Sequence, residues 1–286
     1  MNNLTKAILV ATILNSSGAV NAGELTVSHY NPASNAIFPV SSSLIAGEHE
    51  AVLVDAQFGL NDGNALVKLI KASGKKLTTI YISGGDPDFY FGLEAIIDAF
   101  PQVNVIASSQ VVAHIQKTKD AKLKIWGPLL AAKAPSKIIV PTIFDKTSFT
   151  IEGHRIEVKE INTHQSYLWI PELRTALGGT LVSSGIHLWT ADSQTVAERA
   201  RWLSALDNLA SLKPLRVIPG HYIGEIPAGT DAVKFSIEYL KNYEQLLKAK
   251  PTSVQLLGKL QQQYPQLVID EGTRISAKVN TGEMSW

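Results

Sequence analysis

Apolar positions recur along this chain with two periods, and the places where one gives way to the other outline its elements. Short β-rich runs come first: Leu25 to Tyr30, Ser43 to Ala46, and Ala51 to Val54 ending at Asp55. From Asp62 to Ser73 the spacing turns helical around Leu66 and Ile70, with Asn61 or Asp62 as N-cap and Gly74 as stop. A strand at Leu77 to Ile82, a loop, a helix from Tyr90 to Phe100, a strand at Val103 to Ala107 and a helix at Ser109 to Lys117 continue the alternation.

The pattern then loosens over Ala121 to Pro141, where Trp126-Gly127-Pro128 and Pro135 predict an irregular insert. Two strands, Ser148 to Glu152 and His154 to Ile161, turn at Glu152-Gly153. A second hairpin joins Ser166 to Ile170 with Arg174 to Leu177 through Pro171-Glu172. A helix at Gln194 to Leu212, a strand at Leu215 to Ile218 and two helices, Asp231 to Lys248 and Ser253 to Tyr264, complete the chain. Strand-rich stretches are followed by helix-rich ones twice, as an αββα sandwich requires: two mixed sheets face to face, with helices outside both.

With 286 residues and no low-complexity linker, the chain has room for one large domain. We expect that domain over 23–230, with a helical extension over 231–286 packed on it. The N-terminus reads as a secretory signal over 1–22. Lys6 is its positive region, Ala7 to Leu14 its apolar core and Val20-Asn21-Ala22 its cleavage site, which predicts a periplasmic or secreted protein. The alternative for this segment is a buried N-terminal element. No other segment approaches about 18 consecutive apolar residues, so no membrane span is expected after cleavage.

Composition narrows the chemistry. The absence of cysteine excludes disulfides, thiolate ligands and a cysteine nucleophile. There are 26 basic against 25 acidic residues, and 25 against 25 once Lys6 is removed, so nothing favours nucleic acid or an anionic membrane as partner. A small molecule is the expected ligand. No Gly-x-Ser-x-Gly elbow and no Walker spacing supports a serine hydrolase or a phosphate loop.

Candidate chemistry concentrates in Ile82-Ser83-Gly84-Gly85-Asp86-Pro87-Asp88-Phe89-Tyr90-Phe91-Gly92, between a strand and a helix. This stretch resembles the metallo-β-lactamase superfamily, whose loop here reads Thr-His-x-His-x-Asp-His before a short run to Gly. Ser83 stands for the Thr, Gly84 for the first His, Asp86 for the second, Asp88 for the Asp and Phe89 for the last His. Four further segments follow in the family's order: Ala51 to Asp55, Leu168-Trp169-Ile170-Pro171-Glu172-Leu173, Gly178-Gly179 with His187 and Asp192 beyond, and Val217-Ile218-Pro219-Gly220-His221.

The resemblance implies the αββα fold and a hydrolytic zinc site, which needs about three protein ligands and an open position for water. Gly179 stands where the family has its metal-bridging Asp, so a two-metal centre is not expected. Donors for one Zn or Mn ion remain in Asp86, Asp88, His221 and, in a shifted register, His164, with Glu160 a further candidate. Asp88 and His221 are the catalytic candidates, Asp88 orienting or deprotonating a water. Gly84, Phe89, Gly179 and His187 are expected around the pocket, His187 as a hydrogen-bonded wall. Plainer roles stand beside these: Asp88 as a helix cap, Asp86-Pro87 as a turn, Gly84-Gly85 as a tight bend, and His29, His49, His114 and His154 as surface or structural residues. The functions implied are an exported hydrolase of an ester, lactone or amide bond, or a non-catalytic small-molecule-binding protein that kept the fold and lost its metals.

Overall fold

A computed structural model describes residues 23–163 and 165–286. The expected signal segment and His164 lie outside the described residues. The strands are β1 (Thr26–Tyr30), β2 (Ser42–Ala46), β3 (Glu50–Val54), β4 (Lys76–Tyr81), β5 (Asn104–Ala107), β6 (Thr142–Ile143), β7 (Ser148–Ile151), β8 (His154–Lys159), β9 (Tyr167–Ile170), β10 (Thr175–Leu177), β11 (Ser183–Ser184), β12 (Arg216–Ile218) and β13 (His221–Tyr222). The helices are α1 (Leu60–Ser73), α2 (Pro87–Tyr90), α3 (Leu93–Ala99), α4 (Ser109–Leu130), α5 (Val196–Ser211), α6 (Asp231–Leu247), α7 (Ser253–Gln263) and α8 (Glu271–Asn280).

One sheet runs β1-β2-β3-β4-β5-β6, antiparallel through its first three strands and parallel from β3 onward. The other runs β12-β10-β9-β8-β7, and β11 pairs β13 separately. Because side chains alternate across a strand, each central strand feeds two cores. Val52 and Val54 of β3 meet Leu168, Ile170, Leu177 and Ile218 between the sheets. Ala51 and Leu53 face the other way, into a core with α1, α3 and α4. Trp169, Ala176 and Val217 enter a third core with α5 to α8. Three apolar interfaces separate four layers, the αββα sandwich the periodicity predicts.

Several elements differ from the sequence expectation. The helix expected over Tyr90 to Phe100 is two pieces, α2 and α3. It breaks at Gly92, whose N–H donates to the Gln57 carbonyl at 2.9 Å while Ala56 donates to the Phe89 carbonyl at 2.7 Å. A Cβ at Gly92 would come 2.1 Å from the Ala56 carbonyl oxygen, so this close approach depends on glycine. The irregular insert is in its first half a continuation of α4, which reaches Leu130 with Pro128 in its last turn. Trp126 holds that extension down by edge-on packing against Phe38 and Phe58, at 5.2 and 5.7 Å between ring centroids. A third C-terminal helix, α8, follows Asp270, whose carboxylate accepts the Thr273 N–H at 2.7 Å. Helix α1 is capped by Gly59 without a side-chain bond, and Asp62 instead receives the Tyr30 hydroxyl at 2.8 Å.

The C-terminal helices share the third core with the second sheet. Arg199 of α5, 4% exposed, fastens them with bonds to Glu244 of α6 at 2.6 Å, Asn280 of α8 at 2.7 Å and the Ser193 carbonyl at 2.9 Å. Among the described residues no helix is long and apolar enough to cross a membrane.

Candidate active site

The loop leaving β4 is anchored from below by Asp55, at the end of β3. Asp55 Oδ1 accepts the Ser83 N–H at 2.8 Å, and its Oδ2 receives the Ser83 hydroxyl at 2.6 Å. Ser83 Oγ in turn accepts the Gly179 N–H at 2.7 Å, so one fully buried carboxyl sets the relative position of two site loops. Burial pushes the Asp55 carboxyl up to about 7, against the opposing pull of the Ser83 bonds. The Ser83 hydroxyl is committed to this anchor.

Asp88 lies within α2, and its carboxylate does not cap a helix. Its Oδ2 lies 2.6 Å from Nε2 of His221, with side-chain exposures of 7% for Asp88 and 16% for His221. His221 is presented by β13, whose pairing with β11 brings the Pro219-Gly220-His221 turn over the loop. The Phe89 ring lies edge-on to the imidazole at 5.4 Å between centroids. A Cβ at Gly84 would come 2.6 Å from that same ring, so Phe89 fills the space into which a side chain at 84 would project.

Asp86 is held by α4. Lys122 Nζ donates to its Oδ1 at 2.9 Å, and His114 Nε2 lies 3.7 Å away. Burial alone would raise the Asp86 carboxyl, but His114 and Lys122 together hold it well below the usual carboxylate range. Nearby, Asp192 accepts the indole N–H of Trp189 at 2.5 Å and that of Trp286 at 2.8 Å. Burial, then the charge of Asp86, raises the Asp192 carboxyl.

These groups line a two-part cleft. One part, of about 430 Å³, is lined by polar residues including Ser83, Asp86, Gln110, His114, Lys117 and Asp192. The other, of about 90 Å³, is walled by Phe38, Phe89, Trp126, Ile186 and Leu188 and contains Asp88 and His221. Asp86, Lys122, Trp189 and Trp286 border both. His187 is a buried wall of the apolar part, its Nδ1 2.9 Å from the Tyr239 hydroxyl.

The structure thus brings Gly84, Asp86, Asp88, Phe89, His187 and His221 to one cleft, with Gly179 tied to it through Ser83. Glu160 is not among them, because its carboxylate accepts the Asn208 amide of α5 at 3.1 Å. The participants that escaped the sequence reading include His114, taken there as surface or structural, Lys122 and Trp286. The signal for the first two was the spacing His114, Thr118, Lys122, one face of a helix two turns long, which is legible only if α4 runs through the insert.

A family model described as "Metallo-beta-lactamase superfamily" matches residues 36–221. The chain belongs to the metallo-beta-lactamase superfamily. Solved structures agree on the fold. The crystal structure of metallo-beta-lactamase IND-7 is 16% identical with a TM-score of 0.55, covering 76% of this chain and 93% of that one. A metallo-beta-lactamase from Pontibacter korlensis is 19% identical with a TM-score of 0.50, covering 76% of this chain and 94% of its own. A search of curated proteins returned no match.

A superfamily zinc centre does not fit the described residues. The first loop imidazole is absent at Gly84, and Phe89 fills its space. Gly179 has φ +71°, and a Cβ there would come 1.9 Å from the Ser166 carbonyl oxygen, so no bridging carboxylate can stand at 179 without moving that strand end. Asp86 is bonded to Lys122, and Asp88 and His221 to each other. Among the described residues no group of three His, Asp or Glu side chains is placed to hold a metal ion.

Proposed function

We propose that this chain is a hydrolase of the superfamily that cleaves an ester, lactone or amide bond in the apolar part of the cleft, with Asp88 and His221 as its working pair. The observation carrying this reading is the 2.6 Å contact between Asp88 Oδ2 and His221 Nε2 at the wall of a cavity lined by aromatic rings. A carboxylate so placed fixes the imidazole's orientation and stabilises the imidazolium formed when His221 accepts a proton from water. The hydroxide produced adds to the carbonyl carbon. Return of the proton to the leaving oxygen or nitrogen releases a carboxylic acid and an alcohol or amine. A panel of aryl esters, lactones and amides, assayed in chelator and in added Zn or Mn, tests this. Turnover that survives chelation and disappears in His221→Ala is expected, and turnover restored only by metal would overturn the metal-free form of the reading.

A second reading, binding of a small molecule without turnover, is favoured by the ring of Phe89 over Gly84 and by the Lys122–Asp86 pair, which together close the positions that imidazoles occupy in the superfamily. Ligand-induced quenching of Trp189 or Trp286 fluorescence by molecules that are never cleaved would select it. In either case we propose export, on the strength of Lys6, the run Ala7 to Leu14 and Val20-Asn21-Ala22. Mass spectrometry of periplasmic protein should find about the first 22 residues removed, and an intact Met1 there would refute it.

A further inference from the structure

The cleft gathers three carboxylates. Asp86 and Asp88 flank Pro87 at the start of α2, and Asp192 reaches the same cleft from beyond β11. His221 meets Asp88, while Asp86 and Asp192 lie close enough for the charge of the first to raise the carboxyl of the second, so this pair in a partly buried space needs a counter-charge. Their surroundings supply one. Lys122 Nζ donates to Asp86 Oδ1 at 2.9 Å, its side chain only 19% exposed, and lies 5.3 Å from the centroid of the Trp286 ring. Trp286 packs edge-on against Trp189 at 5.3 Å between centroids, and both indoles donate to Asp192. The ammonium is therefore enclosed by one carboxylate it bonds, a second held by the indoles beside it, and the face of an aromatic ring, an arrangement that fixes a cation.

Asp86 gives this arrangement its meaning. In the superfamily's loop frame it stands at the second imidazole, a metal ligand's position, yet here its partner is the ammonium of a residue 36 positions along the chain, with His114 as a second contact. We propose that Lys122 is a built-in cation that takes the electrostatic place of a metal ion at Asp86, so that this site holds its geometry without a divalent ion. Lysine suits the task because its ammonium is a compact point charge on a long apolar stem, which can reach a carboxylate from a helix packed alongside.

Thermal unfolding of the full chain tests this without any substrate, so its outcome is independent of whether the protein is a hydrolase. Wild type, Lys122→Ala and Lys122→Arg are each melted in EDTA, in Zn2+ and in Mn2+, with bound metal measured by mass spectrometry on the same samples. Wild type should carry no stoichiometric metal and melt at one temperature in all three buffers. Lys122→Ala should melt roughly 5 °C lower or more in EDTA, and recover at least half of that loss in excess Zn2+ or Mn2+, because an ion with water completing its ligands can then take the ammonium's place beside Asp86 and Asp192. Lys122→Arg, which keeps the charge on a bulkier head, should lose less than Lys122→Ala in EDTA and gain nothing from metal. The proposal is overturned if wild type is stabilised by metal, if Lys122→Ala melts with wild type in EDTA, or if the loss in Lys122→Ala is indifferent to metal.

Discussion

Nε2 of His221 lies 2.6 Å from Oδ2 of Asp88 across 133 residues of chain, the two delivered to one point by the β11–β13 pairing and by α2. If this pair performs proton transfer in the proposed hydrolysis, His221→Ala and Asp88→Asn should each lower kcat by about 10²- to 10⁴-fold. Asp88→Asn keeps the shape and removes the charge, so its loss should fall on kcat rather than KM. A variant of either residue with wild-type turnover on an identified substrate would remove the pair from the mechanism.

The buried anchor at Asp55 gives a pH signature. Its carboxyl is pushed up to about 7 in the folded protein, against an ordinary value near 4. Between those limits the folded state keeps a proton that the unfolded chain has released, so unfolding free energy should fall as pH rises from about 4 to about 7 and then level off. The full effect is on the order of 4 kcal/mol. Asp55→Asn can still accept the Ser83 N–H and can donate to Ser83 Oγ, and should flatten this slope. Urea denaturation of both proteins at several pH values checks it, and parallel pH profiles would count against the raised carboxyl.

Gly84 and Phe89 should be coupled. Gly84→Ala puts a methyl group 2.6 Å from the Phe89 ring and should cost about 1–3 kcal/mol, as overpacking does. In a Phe89→Leu background the same change should cost markedly less. A double-mutant cycle by chemical denaturation measures this, and additive effects would mean the ring does not occupy that space.

Restoring the superfamily's bridging carboxylate by Gly179→Asp should fail to restore a metal centre. The substituted Cβ would meet the Ser166 carbonyl oxygen at 1.9 Å, and the residue sits at φ +71°. Strain of this kind costs roughly 1–3 kcal/mol before the clash is added. The variant should be less stable than wild type and bind no stoichiometric zinc; tight zinc binding with undiminished stability would show the loop to be freer than its packing implies.

The sequence by itself determined the layers. Strand-rich stretches are followed twice by helix-rich ones, and an apolar, β-branched strand such as Ala51 to Val54 must be covered on both faces, so two sheets with helices outside both follow from local pattern. The loop frame from Ser83 to Gly92 and the terminal Gly220-His221 likewise pointed to Gly84, Asp86, Asp88, Phe89 and His221 at the cleft. What the tertiary structure decided is how each is partnered. Whether Asp88 caps a helix or meets an imidazole turns on a strand pairing 133 residues away. Whether Asp86 offers its carboxylate to an ion turns on Lys122, which local signals around Trp126-Gly127-Pro128 placed inside an irregular insert, whereas packing of Trp126 on Phe38 and Phe58 carries α4 through it. Residue types record which groups can bear charge, but the charge each one meets is fixed by contacts between distant segments, and those exist only once the layers have closed.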